Sequence, residues 1–259
     1  ILVYRYPQPF NNRTVHMSFS LSESIDASAV RRSLAENRYA HVACILPAEH
    51  AQRLHSTLLN DTPWTLVFND NDKHFDMPAD QLRQMSKQDL ARLQQAIFAQ
   101  ARDGFQYSYH NYPIFDAVQA GQNAGHLLHR FYEWLNGEEF LAFARAATGF
   151  DDINFVDAQA TRYSPGHFLA RHDDTSEGKH RRAAYILNLT PEWRCDWGGF
   201  LQLLDDDGNI RAGLAPTFNA LNIITIPQPH NVSFITPFAG AYRFAISGWL
   251  RHDPAGRNG

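Results

Sequence analysis

The sequence predicts an α+β fold in which helices of the first half support a β structure in the second. Two observations carry this reading. Apolar residues recur at helical spacing up to about residue 150, whereas after Asp151 short strand-like runs follow one another, separated by glycine, proline and aspartate. Many short strands divided by turns imply a sandwich or a barrel. The 259 residues, 44% hydrophobic and 19% charged, have the composition of one globular domain. That single domain, 1–259, divides into a helix-rich support (1–150) and a β core (151–252).

Taken in order, residues 1–22 carry two prolines and alternate weakly, as an edge strand or tethered arm would. Val30 and Leu34 at helical spacing, with Ser24 or Asp26 as N-cap, predict a helix from Asp26 to Asn37. A strand from Tyr39 to Leu46, a helix from Pro47 to Leu59 with proline in its first turn, and a strand from Trp64 to Phe68 follow. Leu82, Met85, Leu90, Leu93, Ile97 and Phe98 place a long helix over Pro78 to Ala101, interrupted near Ser86-Lys87 and stopped by Gly104. The aromatic stretch Phe105 to Phe115 beside Pro113 reads as irregular, bordering a substrate entrance. Helices over Ala124 to Leu135 and Glu138 to Thr148 hinge at Asn136-Gly137, and Gly149 ends the second. Seven strands come after them: Asp157 to Tyr163, Phe168 to Asp174, Ala183 to Leu189, Phe200 to Leu204, Ala220 to Ile226, Asn231 to Thr236 and Tyr242 to Leu250.

Composition excludes several classes of function. A formal charge of -4 lacks the basic footprint of a protein that neutralises nucleic-acid phosphates, so no nucleic-acid partner is expected. The one basic run, Lys179-His180-Arg181-Arg182, reads as a solvated loop. No apolar run approaches the roughly 18 residues of a membrane-spanning helix, and the start lacks the pattern of a secretory signal. Cys44 and Cys195 offer neither a disulfide framework nor a zinc spacing, which fits a reducing, cytoplasmic setting. Nothing in the sequence specifies an oligomeric state.

The chemistry is expected at the end of the run Tyr163-Ser-Pro-Gly-His-Phe-Leu-Ala-Arg-His-Asp-Asp174. Continued as a strand, it points His172 and Asp174 to one face and Asp173 to the other. An imidazole and a carboxylate then converge, and a metal site needs a further ligand. Among the 13 histidines, His230 is the best third candidate, because it follows Pro227-Gln-Pro229 and opens a strand-like run. Two imidazoles and one carboxylate on one face of a metal are the ligand set of non-haem Fe(II) oxygenases. His167 and His180 read as ordinary loop histidines, Trp249 as core, and Phe168, Leu201 and Leu203 as core or pocket wall. His126 and His129 have no carboxylate at ligand spacing.

Beyond these residues, the stretch from His230 through Arg243 to Trp249 resembles the end of the 2-oxoglutarate- and Fe(II)-dependent prolyl hydroxylase superfamily, where a distal His is followed by Arg and then Trp. Tyr163-Ser-Pro-Gly resembles that family's turn before His-x-Asp. Tyr185-Ile-Leu-Asn-Leu-Thr-Pro-Glu-Trp193, Gly198-Gly-Phe-Leu-Gln-Leu203 and Pro216-Thr-Phe-Asn-Ala-Leu221 resemble its next segments, in family order. The resemblance implies a double-stranded β-helix, a jelly-roll variant, as the core of the C-terminal half. It implies Fe(II) held by His172, Asp174 and His230, and 2-oxoglutarate held by Arg243 and Tyr163, with ascorbate as an optional addition. A second cosubstrate tyrosine of some relatives falls on Ile186, and the loop between His230 and Arg243 is longer than the family's usual one.

The implied reaction is hydroxylation of a prolyl residue in a protein or peptide, with release of succinate and CO2. The C-terminal half is most similar to the branch acting on ribosomal or translation-factor prolines. The same chemistry on a free amino acid or other small molecule is the alternative enzyme reading, nucleic-acid dealkylation is disfavoured by charge, and an iron-free binding module is the non-enzymatic alternative.

Overall fold

The computed structural model of the chain describes residues 18–70 and 73–254. The first half runs α1 (Ala27–Asn37), β1 (Tyr39–Val42), α2 (Ala48–Asn60), β2 (Thr65–Asp70), β3 (Lys73–Pro78), α3 (Ala79–Gln84), α4 (Lys87–Asp103), β4 (Tyr107–Tyr112), α5 (Ile114–Gln119), α6 (Leu127–Leu135) and α7 (Glu138–Thr148). The second half is strands: β5 (Phe155–Val156), β6 (Gln159–Tyr163), β7 (Phe168–His172), β8 (Arg181–Asn188), β9 (Leu201–Leu204), β10 (Ile210–Leu214), β11 (Ala220–Thr225), β12 (His230–Val232) and β13 (Arg243–Arg251).

These strands form one antiparallel sheet in the order β1-β11-β8-β13-β6-β4-β7-β12-β9-β10, with the β2–β3 hairpin attached through β4 and with β5 on β13. The sheet curls until it is nearly closed, the jelly-roll arrangement. Alternation along each strand decides what each surface carries. On β13, Phe244, Ile246 and Leu250 pack into the large core shared with α1, α2, α6 and α7. Arg243, Ala245, Ser247 and Trp249 take the opposite, inner surface. Helices therefore cover one side of the sheet and leave its inside for a site. The core is densely filled around Leu54, Leu58, Leu128 and Phe131, each no more than 1% exposed, so truncating Phe131 to Ala would cost about 3–5 kcal/mol.

Local signals set the helix ends. Asp26 caps α1 by accepting a hydrogen bond from Ser28 N at 2.9 Å, and Ser86 caps α4 by accepting one from Asp89 N at 3.1 Å. Gly149 closes α7 at a φ of 78°, a left-handed conformation that glycine adopts without penalty.

Several expectations need correction. The stretch Phe105 to Phe115 is not irregular: Tyr107–Tyr112 is β4, paired with β2, β6 and β7. Its polar spacing hid a strand whose two surfaces are both partly lined by tyrosine and histidine. The first half thus supplies strands beyond the two expected there. β3 and β10 were not foreseen, because the exposed edge strands Lys73–Pro78 and Ile210–Leu214 have little alternation to reveal them. The strand expected from Tyr39 to Leu46 ends at Val42, before Cys44 turns to positive φ. Residues 1–17 of the expected arm lie outside the described residues. Finally, β7 stops at His172 rather than at Asp174.

Candidate active site

β7 and β12 run antiparallel with His172 directly opposite His230, and their rings lie 4.2 Å apart, centroid to centroid. Each imidazole is held the same way. His172 Nδ1 donates to the Ala170 carbonyl at 2.9 Å and His230 Nδ1 donates to the Gln228 carbonyl at 2.7 Å. With the proton fixed on Nδ1, the neutral ring carries its lone pair on Nε2. Burial, and then the neighbouring His172, hold the His230 imidazole below its ordinary pKa and favour that neutral form.

Both Nε2 atoms face one carboxylate. Asp174 Oδ1 lies 3.5 Å from His172 Nε2, and Asp174 Oδ2 lies 3.5 Å from His230 Nε2. These separations are too long for good hydrogen bonds. They are close to the spacing of about 3 Å between neighbouring ligands of one metal ion bound at about 2.1 Å. Three ligand atoms within 4.8 Å of one another can therefore share a cation. Convergence does not arise by strand alternation as expected: Asp174 lies past the end of β7 at a φ of 65°, and this left-handed residue swings its carboxylate back toward the two rings. Asp173 is exposed and accepts a hydrogen bond from Thr175 N at 2.9 Å.

Arg243 begins β13 and pairs with Tyr163 of β6. It is 2% exposed, forms no ion pair among the described residues, and its Nε has no hydrogen-bond partner. Its guanidinium lies 5.1 Å from the centre of the Tyr163 ring. Burial lowers its pKa, yet arginine stays protonated. An unpaired buried cation costs several kcal/mol, so this position calls for an anionic ligand. Gly199, at a φ of 69°, leaves the room for it, since a Cβ there would lie 2.5 Å from Ile235 Cδ1 and 3.2 Å from Arg243 Cδ.

Tyr109 of β4 joins the two halves of the site. Its ring stacks on Tyr163 at 5.1 Å and 22°. Its hydroxyl pKa is raised mainly by burial and by Tyr163, with a smaller contribution from the Asp174 charge. A continuous inner surface thus runs from Arg243 past Tyr163 and Tyr109 to the His–Asp–His cluster. Ile186 also faces inward, where it packs with Leu201, Leu203 and Ile224 as an apolar wall.

Tyr109 was expected at the substrate entrance, in a stretch read as irregular, whereas it is a strand residue stacked inside on Tyr163. One residue here escaped the sequence reading. Arg181 lay in the basic run read as a solvated loop, but its guanidinium sits 3.4 Å from the centre of the Trp249 ring and donates to the Asp174 carbonyl. Arg182 is likewise paired, with Asp152. Among the described residues, the other histidines stand apart from the cluster. His167 accepts from Ser164 N and packs on His110, while His129 bonds Tyr112 Oη at 2.8 Å.

A nearly closed jelly roll thus holds a His–Asp–His cluster and a buried arginine without an ion pair among the described residues. Residues 158–251 match the family model of the 2OG-Fe(II) oxygenase superfamily. Prolyl 3-hydroxylase OGFOD1 of Mus musculus is 34% identical over 120 residues, covering 44% of this chain and 22% of that protein. The Xenopus laevis counterpart is 34% identical over 120 residues, covering 44% and 23%. The chain thus spans less than a quarter of the length of these curated relatives. Among solved structures, a Pseudomonas putida prolyl-4-hydroxylase superposes with a TM-score of 0.55 at 18% identity, covering 88% of this chain and all of that one. A Trichoplax adhaerens prolyl hydroxylase in complex with a hypoxia inducible factor peptide fragment gives 0.56 at 15% identity, covering 87% and 89%. These structural likenesses establish the fold.

Proposed function

We propose that this chain is an Fe(II)- and 2-oxoglutarate-dependent dioxygenase that hydroxylates a prolyl residue of a protein or peptide. The observation that carries the reading is the pairing, in one chamber, of the His172–Asp174–His230 cluster with the unpartnered guanidinium of Arg243. A metal would be held by the first, and a carboxylate of the cosubstrate would pair with the second. Similarity of the chain to prolyl 3-hydroxylases supports a prolyl substrate.

When bound, iron and 2-oxoglutarate supply an O2-dependent oxidation that hydroxylates a C–H bond and releases succinate and CO2. The chain's own residues do the rest. His172, Asp174 and His230 would hold the metal, their imidazoles kept in the metal-binding tautomer by the Ala170 and Gln228 carbonyls. Arg243 would bind the distal carboxylate, where its fixed charge and planar fork suit a carboxylate better than an ammonium would. Tyr163 and Tyr109 wall the space between and exclude water, which strengthens the charge pairing. No helix among the described residues is long and apolar enough to cross a membrane, and the exposed free thiols of Cys44 and Cys195 support a reducing, cytoplasmic setting.

The test is turnover of proline-containing peptides and of intact cellular proteins with Fe(II), 2-oxoglutarate and ascorbate. Succinate formed in proportion to a gain of about 16 Da, one oxygen atom, on a proline supports the proposal. Hydroxylation of free amino acids with proteins untouched would move it to the small-molecule reading, and no succinate with any substrate would overturn it.

A further inference from the structure

Asp174 is a ligand candidate that sits outside regular structure, so something other than a strand must hold it. Its φ of 65° is a conformation that non-glycine residues adopt uncommonly. Asp tolerates it better than most residues, but nothing in the backbone ladder of β7 fixes it there, because the strand has ended at His172. The group that meets it is Arg181, at the first position of β8, whose Nη1 donates to the Asp174 carbonyl at 2.9 Å.

Arg181 is itself anchored. Its guanidinium lies against the Trp249 ring, 3.4 Å from the centroid, and Trp249 is fixed in turn by its backbone N–H, which donates to Asp157 Oδ1 at 2.8 Å. Asp157 is buried and also accepts from Arg251 Nη1 at 3.2 Å. At Gly248 a Cβ would lie 2.1 Å from the Asp157 carbonyl oxygen, so the backbone can make this close approach only because the residue is glycine. A rigid series of contacts therefore runs from Asp157 through Trp249 and Arg181 to the main chain of Asp174. Arg251 shares the neighbourhood but is bonded to Asp157 and to the Lys179 carbonyl, not to Asp174.

We propose that Arg181 is a positioning residue for the metal site, holding the Asp174 main chain in its left-handed conformation so that the carboxylate faces both imidazoles. This rests on the metal reading of the His–Asp–His cluster. Arg181 acts through the carbonyl of a ligand residue, and partners of this kind typically change metal affinity 10–100-fold when removed.

Metal-free protein titrated with Co(II), under nitrogen, tests this through affinity and through the visible absorption bands that report ligand geometry. Arg181→Met keeps an apolar stem on Trp249 and deletes the donor. It is expected to weaken Co(II) binding by roughly 10–100-fold and to shift the bands. Arg181→Lys, which can still donate to the carbonyl, is expected to recover part of both. Phe131→Leu, in the helix-covered core away from this series, is the matched control, expected to lower the melting temperature of the metal-free protein while leaving Co(II) affinity and bands unchanged. Wild-type affinity and bands in Arg181→Met would overturn the proposal. So would parallel losses in Arg181→Met and Phe131→Leu that track the fall in melting temperature. Asp174→Ala separates the two levels: Co(II) affinity unaltered in that variant removes the metal reading itself, and with it this proposal. Affinity lost in Asp174→Ala but kept in Arg181→Met removes only the role of Arg181.

Discussion

His172 and His230 face each other across the β7–β12 pair with their Nδ1 atoms turned away, each bonded to the carbonyl two residues before it. Two rings arranged alike on adjacent strands leave two Nε2 atoms on one side, toward Asp174.

From that arrangement follows a stoichiometry of one divalent metal per chain. His172→Ala and His230→Ala should each lose binding of Fe(II), measured by metal analysis after desalting, and should lose turnover with it. Full occupancy in both variants would show that the two rings are not ligands.

Arg243→Ala removes a buried guanidinium that has no ion pair among the described residues. A hydrogen bond to a charged group contributes about 1.5–3 kcal/mol, which corresponds to roughly a tenfold to hundredfold loss of 2-oxoglutarate affinity. Calorimetry on metal-loaded protein without O2 measures it, and metal affinity should be unchanged. Arg243→Lys should recover little, because an ammonium lacks the planar fork. An unaltered 2-oxoglutarate affinity would mean that another cation holds the carboxylate.

Acid should destabilise the fold through two histidines outside the site. Burial, then the Arg162 charge, pushes the His110 pKa down to about 3, and burial pushes that of His167 down to about 4, from an ordinary 6.5. Unfolded chains bind the protons that the folded ones refuse. The stability is therefore complete above pH 6.5 and is lost as pH falls from there toward these lowered values. By pH 5 each imidazole accounts for about 2 kcal/mol. Melting temperature measured from pH 7.5 to 5 should fall, and the slope should flatten in His167→Asn. An unchanged slope in that variant would place the acid sensitivity elsewhere.

How much of this was legible in the sequence depended on how local each signal was. The helices α1, α2, α6 and α7 declared themselves through caps, glycine stops and apolar spacing, all read within a few residues. The candidates His172, Asp174 and His230 stood out by type and order along the chain, and Arg243 and Tyr163 only through the family resemblance. What failed to show was anything set by partners distant in sequence. Tyr107–Tyr112 becomes a strand because β2, β6 and β7 flank it, and its own pattern of tyrosine, serine, histidine and asparagine carries little alternation. The Asp174 turn could not be read either, since a left-handed aspartate looks like a strand residue until its neighbours are placed. Arg181 was hidden for a similar reason: in a run of four basic residues only the fold distinguishes the one laid on Trp249 from those in solvent.

The tyrosines of β4 provide a division between chamber and entrance. Tyr109 is stacked inside on Tyr163, while Tyr107, one alternation along, is half-buried near Phe105 and donates to His74 Nδ1 at 2.5 Å. Burial, then the Asp76 charge, pushes the Tyr107 hydroxyl up to about 12, so it is a neutral donor near pH 7. Phe105 in turn lies 5.9 Å from His172 and is 48% exposed, which places this aromatic edge beside the candidate metal cluster and open to solvent. A substrate peptide arriving at the cluster would meet Phe105 and Tyr107 before it met Tyr109. Replacing Tyr107 by Ala should therefore reduce peptide hydroxylation while substrate-free decarboxylation of 2-oxoglutarate continues. Tyr109→Ala should depress both and lower the melting temperature, because it opens the stack beneath Arg243 and Tyr163. Following the two reactions separately, with Tyr→Phe at each position as a conservative comparison, decides the assignment. Parallel loss of both reactions in Tyr107→Ala, with a falling melting temperature, would return Tyr107 to a packing role.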